Sequence, residues 1–316
     1  MKSPYIIVTG PTGSGKTALA FALARAFSNR HQKTVLINGD SMQLYADLHI
    51  LTARPTMDEK KQAPDTPYLL DGILTGDERS SSGFWMRKAV EAIKDAWIHH
   101  AIPIVVGGTG LYLKALMEGI APIPDIPKAI QKNVRSMHHL SLSEMIDMMS
   151  PTFKSAHDYK DPQRLLRAFE VFCTTGKSME DFFGKEERPL DVDPILVVLN
   201  PQRERLYQSL DQRFLDMIKD GAIDEIKGFM ELHLPVDHPL YKATGVTPLM
   251  NFLKGNLSKD QAIALGQQHT RQYAKRQRTW MKNQFSPNLL YDPFQESIEI
   301  IVDAILNLMG DFHKII

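Results

Sequence analysis

The chain has 316 residues, with 37 Lys+Arg against 37 Asp+Glu, 43% hydrophobic residues and one cysteine. That length admits two domains, or one α/β domain with an insertion, and a net charge of zero excludes a uniformly basic nucleic-acid binder. The lone Cys173 excludes an intrachain disulfide and a CxxC zinc site, and no apolar run approaches the ~20 residues that span a bilayer, so a cytoplasmic protein without membrane association is expected.

In chain order, Tyr5–Thr9 reads as a strand, Gly10–Thr17 as a Gly-rich loop, Ala18–Phe27 as a helix and Thr34–Asn38 as a second strand, a βαβ signature. The loop Gly10-Pro11-Thr12-Gly13-Ser14-Gly15-Lys16-Thr17 satisfies G-x4-G-K-[ST]. In that setting backbone N–H groups and a helix N-terminus converge on an anionic oxygen, Lys16 supplies a point charge and Thr17 can ligate Mg²⁺, the expected cofactor. Such a loop specifies a di- or triphosphate, not a reaction.

The second strand runs into Asp40, followed by Ser41-Met42-Gln43-Leu44-Tyr45. Tyr68–Leu74 reads as a short strand, Phe84 to His99 as a helix behind a Ser-rich cap, and Ile102–Val106 as a buried strand. That strand ends in Gly107-Gly108-Thr109-Gly110-Leu111-Tyr112, with no acid. Alternating strands and helices imply a P-loop-like parallel sheet flanked by helices. Beyond Leu116 come Pro122, Pro124 and Pro127 and then a Met-rich helical stretch, so an all-helical insertion is expected over 121–190, interrupting a core domain of 1–120 and 191–316. Ile195–Leu199 returns to the sheet, helices dominate from Pro201, and Leu257–Lys282 is the longest Pro-free helical pattern. The tail after Phe285 reads as one more helix.

From Gln261 to Tyr291 there is no Asp or Glu, while Arg271, Lys275, Arg278 and Lys282 follow i, i+4, i+7, i+11 spacing and form one basic helical stripe. Tyr273 and Trp280 fall on another face, toward the core. The pairs His99-His100 and His138-His139 diverge on a helix and lack a completing acid or thiol, so they read as surface residues; Met137–Met149 reads as packing.

The spans Gly10–Thr17, Asp40–Tyr45, Thr52–Pro55, Val106–Tyr112, Asp161–Val171, Thr175–Ser178 and Arg271–Trp280 together make the chain resemble the tRNA dimethylallyltransferases, also called tRNA isopentenyltransferases. The matches are collinear over some 270 residues. The resemblance implies transfer of the dimethylallyl group from dimethylallyl diphosphate to the exocyclic amine of the adenosine 3′ to the anticodon, with release of pyrophosphate. It also implies that the phosphate loop holds the prenyl diphosphate.

An exocyclic adenine amine is a poor nucleophile, and Asp40, at a strand's carboxyl end beside the phosphate loop, is placed to take its proton. The family assigns the same role. Lys16, Ser14 and Thr17 face the departing pyrophosphate, and the resemblance adds Thr109 and Arg213. The anticodon-loop base should be flipped into a channel and read on its edge, with Ser41, Met42 and Gln43 as candidates. For the tRNA anticodon stem-loop the family's Q-R-x-x-R segment points to Gln163, Arg164, Leu165, Leu166 and Arg167, and the C-terminal elements to Lys242, Gly245, Arg271, Lys275 and Arg278. Two departures concern tRNA: Lys242–Pro248 keeps the family's glycine but loses an aromatic and the following basic residue, and Ser209 stands where an arginine is common. A monomer is expected. A small-molecule P-loop kinase, sharing loop and fold, is the alternative.

Overall fold

The computed structural model describes residues 4–137, 144, 147 and 162–315. The chain divides into two compact units, Met1–Met117 with Pro189–Ile316, and Glu118–Arg188.

The first unit begins with β1 (Ile6–Thr9), α1 (Lys16–Ser28), β2 (Lys33–Asn38), α2 (Met57–Lys60) and β3 (Tyr68–Leu69), then α3 (Ser82–Ile98), β4 (Ala101–Gly107) and α4 (Gly110–Glu118). Its second pass adds β5 (Ile195–Leu199), but not before the other unit has contributed α5 (Lys128–Ser136) and α6 (Pro162–Thr175). After β5 come α7 (Arg203–Lys219), α8 (Ala222–Glu231), α9 (Val246–Leu253), α10 (Lys259–Gln284), β6 (Leu289–Tyr291) and α11 (Ile298–Ile315). The six strands form one sheet in the order β3-β2-β4-β1-β5-β6, parallel throughout.

Helices cover both faces, which is why the central strands are apolar without alternation. Ile6, Val8, Ile104 and Val106 pack with Phe21 and Leu23 of α1 and Ile301, Ile305 and Met309 of α11. Ile7 and Val105 point the other way, into a core with Trp85, Ile93, Leu113, Phe214 and Leu249. The parallel arrangement brings the carboxyl ends of β1, β2 and β4 to one edge, where such sheets place their ligands.

Two expectations are corrected. Only Tyr68–Leu69 of the expected strand Tyr68–Leu74 is strand, because Leu70 and Gly72 turn to positive φ (59° and 62°); Leu74 then makes an isolated bridge to Tyr45. The tail is not helix alone: β6 first pairs with Val197–Leu199, and Asn288 Oδ1 accepts from the Leu196 N–H at 2.7 Å to set its register.

In the second unit, α5 and α6 bury Val134, Leu165, Ala168 and Phe169 together. His138-His139 and most of the stretch Met137–Met149 lie outside the described residues. Among those described, no helix is long and apolar enough to cross a membrane.

Candidate active site

β1 hands the chain to the phosphate loop through Thr9, whose Oγ1 donates to the Gly107 carbonyl at 2.8 Å. The loop is confined by its neighbours. A Cβ on Gly10 would stand 2.6 Å from the Leu199 carbonyl oxygen, and one on Gly13 (φ 76°) 2.6 Å from the Leu210 side chain. Gly15, left-handed at φ 81°, opens α1, whose first turn carries no acid, so its N–H groups and dipole face the loop unopposed. Lys16 Nζ donates to the Pro11 carbonyl at 2.7 Å. Burial brings the Lys16 ammonium down to about 8, against the pull of Asp40 and with a smaller push from Arg213.

A cavity of about 290 Å³ opens over this loop, with Lys16, Thr17, Asp40, Gln43, Ser209 and Arg213 on its wall. Ser14 is buried beneath the loop instead, and its Oγ has no hydrogen-bond partner among the described residues. Thr17, Asp40 and Glu59 give the same wall an all-oxygen donor set. Mg²⁺ takes one or two such ligands and completes its shell with water and substrate phosphates, so the residues present fit it.

Asp40 is fixed by its predecessor. Asn38 Oδ1 accepts from the Asp40 N–H (2.9 Å) while its Nδ2 donates to the Asp40 and Leu70 carbonyls (3.0 and 2.9 Å). Trp85 Nε1 donates to the Asn38 carbonyl at 2.7 Å, anchoring the strand end in the core. The carboxylate accepts from the Met42 N–H at 2.9 Å. Burial raises the Asp40 pKa, against the Met42 N–H, Lys16, the Gln43 N–H and Arg213. For Arg213, burial lowers the pKa while Glu59 and Asp40 raise it. One cavity thus holds two cations beside a carboxylate that favours a proton, a disposition for binding an anion and accepting a proton next to it.

The β2 and β4 exits touch main chain to main chain: a Cβ on Gly107 would lie 2.1 Å from the Gly39 carbonyl carbon. Thr109 follows. Its N–H donates to the Gly39 carbonyl (3.2 Å), its Oγ1 accepts from the Ser41 N–H (2.9 Å) and donates to Ser41 Oγ (3.2 Å), and its carbonyl starts α4 by accepting from Tyr112 N–H (2.9 Å). Thr109 therefore lines not the phosphate-loop cavity but a smaller one of about 190 Å³, with Tyr273, Arg276, Gln277 and Trp280.

The remaining candidates separate. Gln43 Nε2 donates to the Thr52 and Ala53 carbonyls, both at 3.0 Å, and Met42 packs partly buried on the core. Behind them Arg54 and Lys60 both pair at 2.6 Å with Asp71, which is 2% exposed, so Thr52–Pro55 is a loop pinned by a buried carboxylate. In α6, Arg164 is exposed, Arg167 pairs with Glu170 at 3.2 Å, Leu165 is fully buried and Leu166 partly so; the Gln163 side chain lies outside the described residues. Lys242 is exposed. Gly245 is buried at the start of α9 with φ 93°, where a Cβ would meet the Phe214 ring at 2.8 Å, so its place is structural.

The basic stripe divides. Arg271 is paired with Asp211 of α7, whereas Lys275, Arg278 and Lys282 line a cavity of about 500 Å³ with Arg203 and Tyr207. Trp280 packs edge-on to Phe285 (5.1 Å), partly buried against the core, and both it and Tyr273 line the Thr109 cavity. Ser209 lies on the phosphate-loop cavity, on the same wall as Lys16, Asp40 and Arg213. Sequence reasoning gave no role to Arg276 and Gln277, although both stand in the Arg271–Trp280 span that carries the family resemblance.

The IPP transferase family model matches residues 43–284. A "tRNA dimethylallyltransferase" of Methylobacterium nodulans is 40% identical over 290 residues, 90% of this chain and 93% of that protein. Among solved structures, a tRNA delta(2)-isopentenylpyrophosphate transferase from Staphylococcus epidermidis is 29% identical with a TM-score of 0.69, covering 98% of this chain and all of that one. A eukaryotic dimethylallyltransferase acting on tRNA is 26% identical with a TM-score of 0.75, covering 92% of this chain and 74% of its own.

Proposed function

The chain belongs to the IPP transferase family, and from that premise we propose that it moves the dimethylallyl group of dimethylallyl diphosphate to the N6 amine of the adenosine 3′ to a tRNA anticodon, releasing pyrophosphate. The observation that carries the reading within the molecule is the single cavity walled by the phosphate loop, Asp40 and Arg213.

The diphosphate binds across the start of α1, held by loop N–H groups and by Lys16, which exchanges the Pro11 carbonyl for a phosphate oxygen. Arg213 meets it from α7. Both cations gain as charge moves onto the departing oxygen, so they stabilise the transition state more than the bound donor. Thr17 would hold Mg²⁺ together with the phosphates; when bound, the ion neutralises part of the developing charge. The adenine amine attacks the allylic carbon that carries the diphosphate, the bond from that carbon to oxygen breaks to release pyrophosphate, and Asp40 accepts the amine proton. Its upward-shifted pKa suits that task better than an ordinary carboxylate.

Lys275 and Arg278 of the first unit, which have no ion pair among the described residues whereas Arg271 has one, meet tRNA phosphates; in the second unit the exposed Arg164 is better placed for such a contact than Arg167, which is paired with Glu170. The proposed working unit is a cytoplasmic monomer. A small-molecule kinase is disfavoured by the family match.

Incubation with labelled dimethylallyl diphosphate and unmodified tRNA tests the proposal. Label in the tRNA, with release of one pyrophosphate per transfer, is the expected result. Unlabelled tRNA together with phosphoryl transfer from ATP to a small acceptor would overturn it.

A further inference from the structure

The long helix α10 reaches the phosphate loop through one buried amide. Gln277 Oε1 accepts from the Thr12 N–H at 2.8 Å, and its Nε2 donates to the Gly108 carbonyl at 2.9 Å. The side chain is 7% exposed. One turn on, Trp280 lies over Gly110. Both contacts demand glycine opposite: a Cβ on Gly108 would stand 2.4 Å from Gln277 Nε2, and one on Gly110 2.2 Å from the Trp280 ring.

The amide therefore joins two loops that leave adjacent strands and carry different parts of the site. Thr12 belongs to the wall of the phosphate cavity, and Gly108 is one residue from Thr109, whose hydroxyl holds the Ser41 N–H beside Asp40. A side-chain amide does this in one orientation, accepting from an N–H with its oxygen and donating to a carbonyl with its nitrogen. A carboxylate offers no donor, and an apolar side chain of the same shape leaves both buried backbone groups unpaired.

We propose that Gln277 is a positioning residue that sets the spacing between the phosphate loop and the Asp40–Thr109 side of the site, so that leaving group and proton acceptor are registered on one helix. This rests on the reading of the phosphate loop as the diphosphate site. It assigns a purpose to the glycines at 108 and 110: they let α10 approach closely enough for the amide to reach both loops.

The test uses Gln277→Leu, which keeps the volume and removes both hydrogen bonds, and Thr270→Val as a control. Thr270 is buried on the same helix and its Oγ1 donates only to the Gly266 carbonyl (2.8 Å), away from either loop. For each, inorganic pyrophosphate binding is measured by calorimetry, and single-turnover transfer and KM for tRNA are measured well below the melting temperature. With Gln277→Leu we expect weaker pyrophosphate binding and a chemical step slower by about ten- to hundredfold, the cost of a misplacement near 1 Å, with KM for tRNA little changed. Thr270→Val should lose thermal stability alone. Gln277→Glu, which retains the acceptor for Thr12, should recover part of the pyrophosphate affinity but not the rate. If Gln277→Leu turns over and binds pyrophosphate like the unaltered enzyme, or loses activity only in step with stability as Thr270→Val does, the proposal fails. Absence of pyrophosphate binding by the unaltered enzyme would instead overturn the diphosphate reading beneath it.

Discussion

Replacing Asp40 with Asn separates the charge of this residue from its shape. The amide oxygen can still accept from the Met42 N–H at 2.9 Å, and the Asn38 bonds to the Asp40 backbone are untouched, so the loop keeps its geometry. What disappears is the proton acceptor. A positioned general base contributes about 10²–10⁴ in rate, equivalent to roughly 3–5 kcal/mol of barrier. Pyrophosphate should bind at least as tightly as before, because the substitution removes one of the two carboxylates, Asp40 and Glu59, on the wall that also carries Lys16 and Arg213. A second consequence follows from the same charge. Asp40 holds the Lys16 ammonium up against burial, so without it the lysine falls further below about 8, and the alkaline loss of pyrophosphate affinity begins at lower pH. Rapid-quench single-turnover kinetics with saturating donor and tRNA read the first effect, and calorimetry across a pH series reads the others. A chemical step close to that of the unaltered enzyme would refute the assignment of Asp40 as base.

In the unaltered enzyme Lys16 is charged below about 8 and neutral above it, so pyrophosphate affinity should hold level up to that pH and then decline; a Lys16→Met variant, titrated in parallel, should show only the ligand's own protonation. Ser209→Arg adds a guanidinium to the cavity wall one helical turn from Arg213 and should tighten pyrophosphate by roughly tenfold, the worth of one hydrogen bond to a charged group; unchanged affinity on calorimetry would mean the new side chain turns away. Arg164→Ala should flatten the salt dependence of tRNA binding by about one unit of slope, and Arg167→Ala by less, because Arg167 is already paired with Glu170. Equal slopes for both variants, measured by filter binding over a salt series, would contradict that ranking.

The parts of the site that were legible are those whose chemistry is local. A strand, a Gly-rich turn and a helix in succession define the phosphate loop because the ligand is held by consecutive N–H groups, and Asp40 announces itself by ending a strand in the same sheet. Gln277 gives no such sign. Its partners lie 265 and 169 positions away, so its role exists only once α10 is packed across the strand ends. Arg271 shows the opposite failure, a cation that joins a stripe by spacing yet is neutralised by Asp211 from a helix 60 positions earlier. Ser209 stands out in the sequence only as a departure from the family pattern, and its place on the cavity wall beside Arg213 follows from the single helical turn between them. β6 escaped notice because three residues, Leu289–Tyr291, are too few to show a period and derive their strand geometry from pairing with β5.

The contact between Gly39 and Gly107 bears on how such an enzyme can diverge. Where two backbones meet with no side chain between them, the separation of Asp40 from Thr109 is written into the polymer itself, and any side chain at Gly107 would drive its Cβ to 2.1 Å from the Gly39 carbonyl carbon and force the two exits apart. Residues on the outer surface, Arg164 and Lys275 among them, have no such restraint. Lineages can therefore exchange RNA partners by drift at the periphery while the reacting groups stay at one distance, and chemistry and recognition evolve on separate clocks.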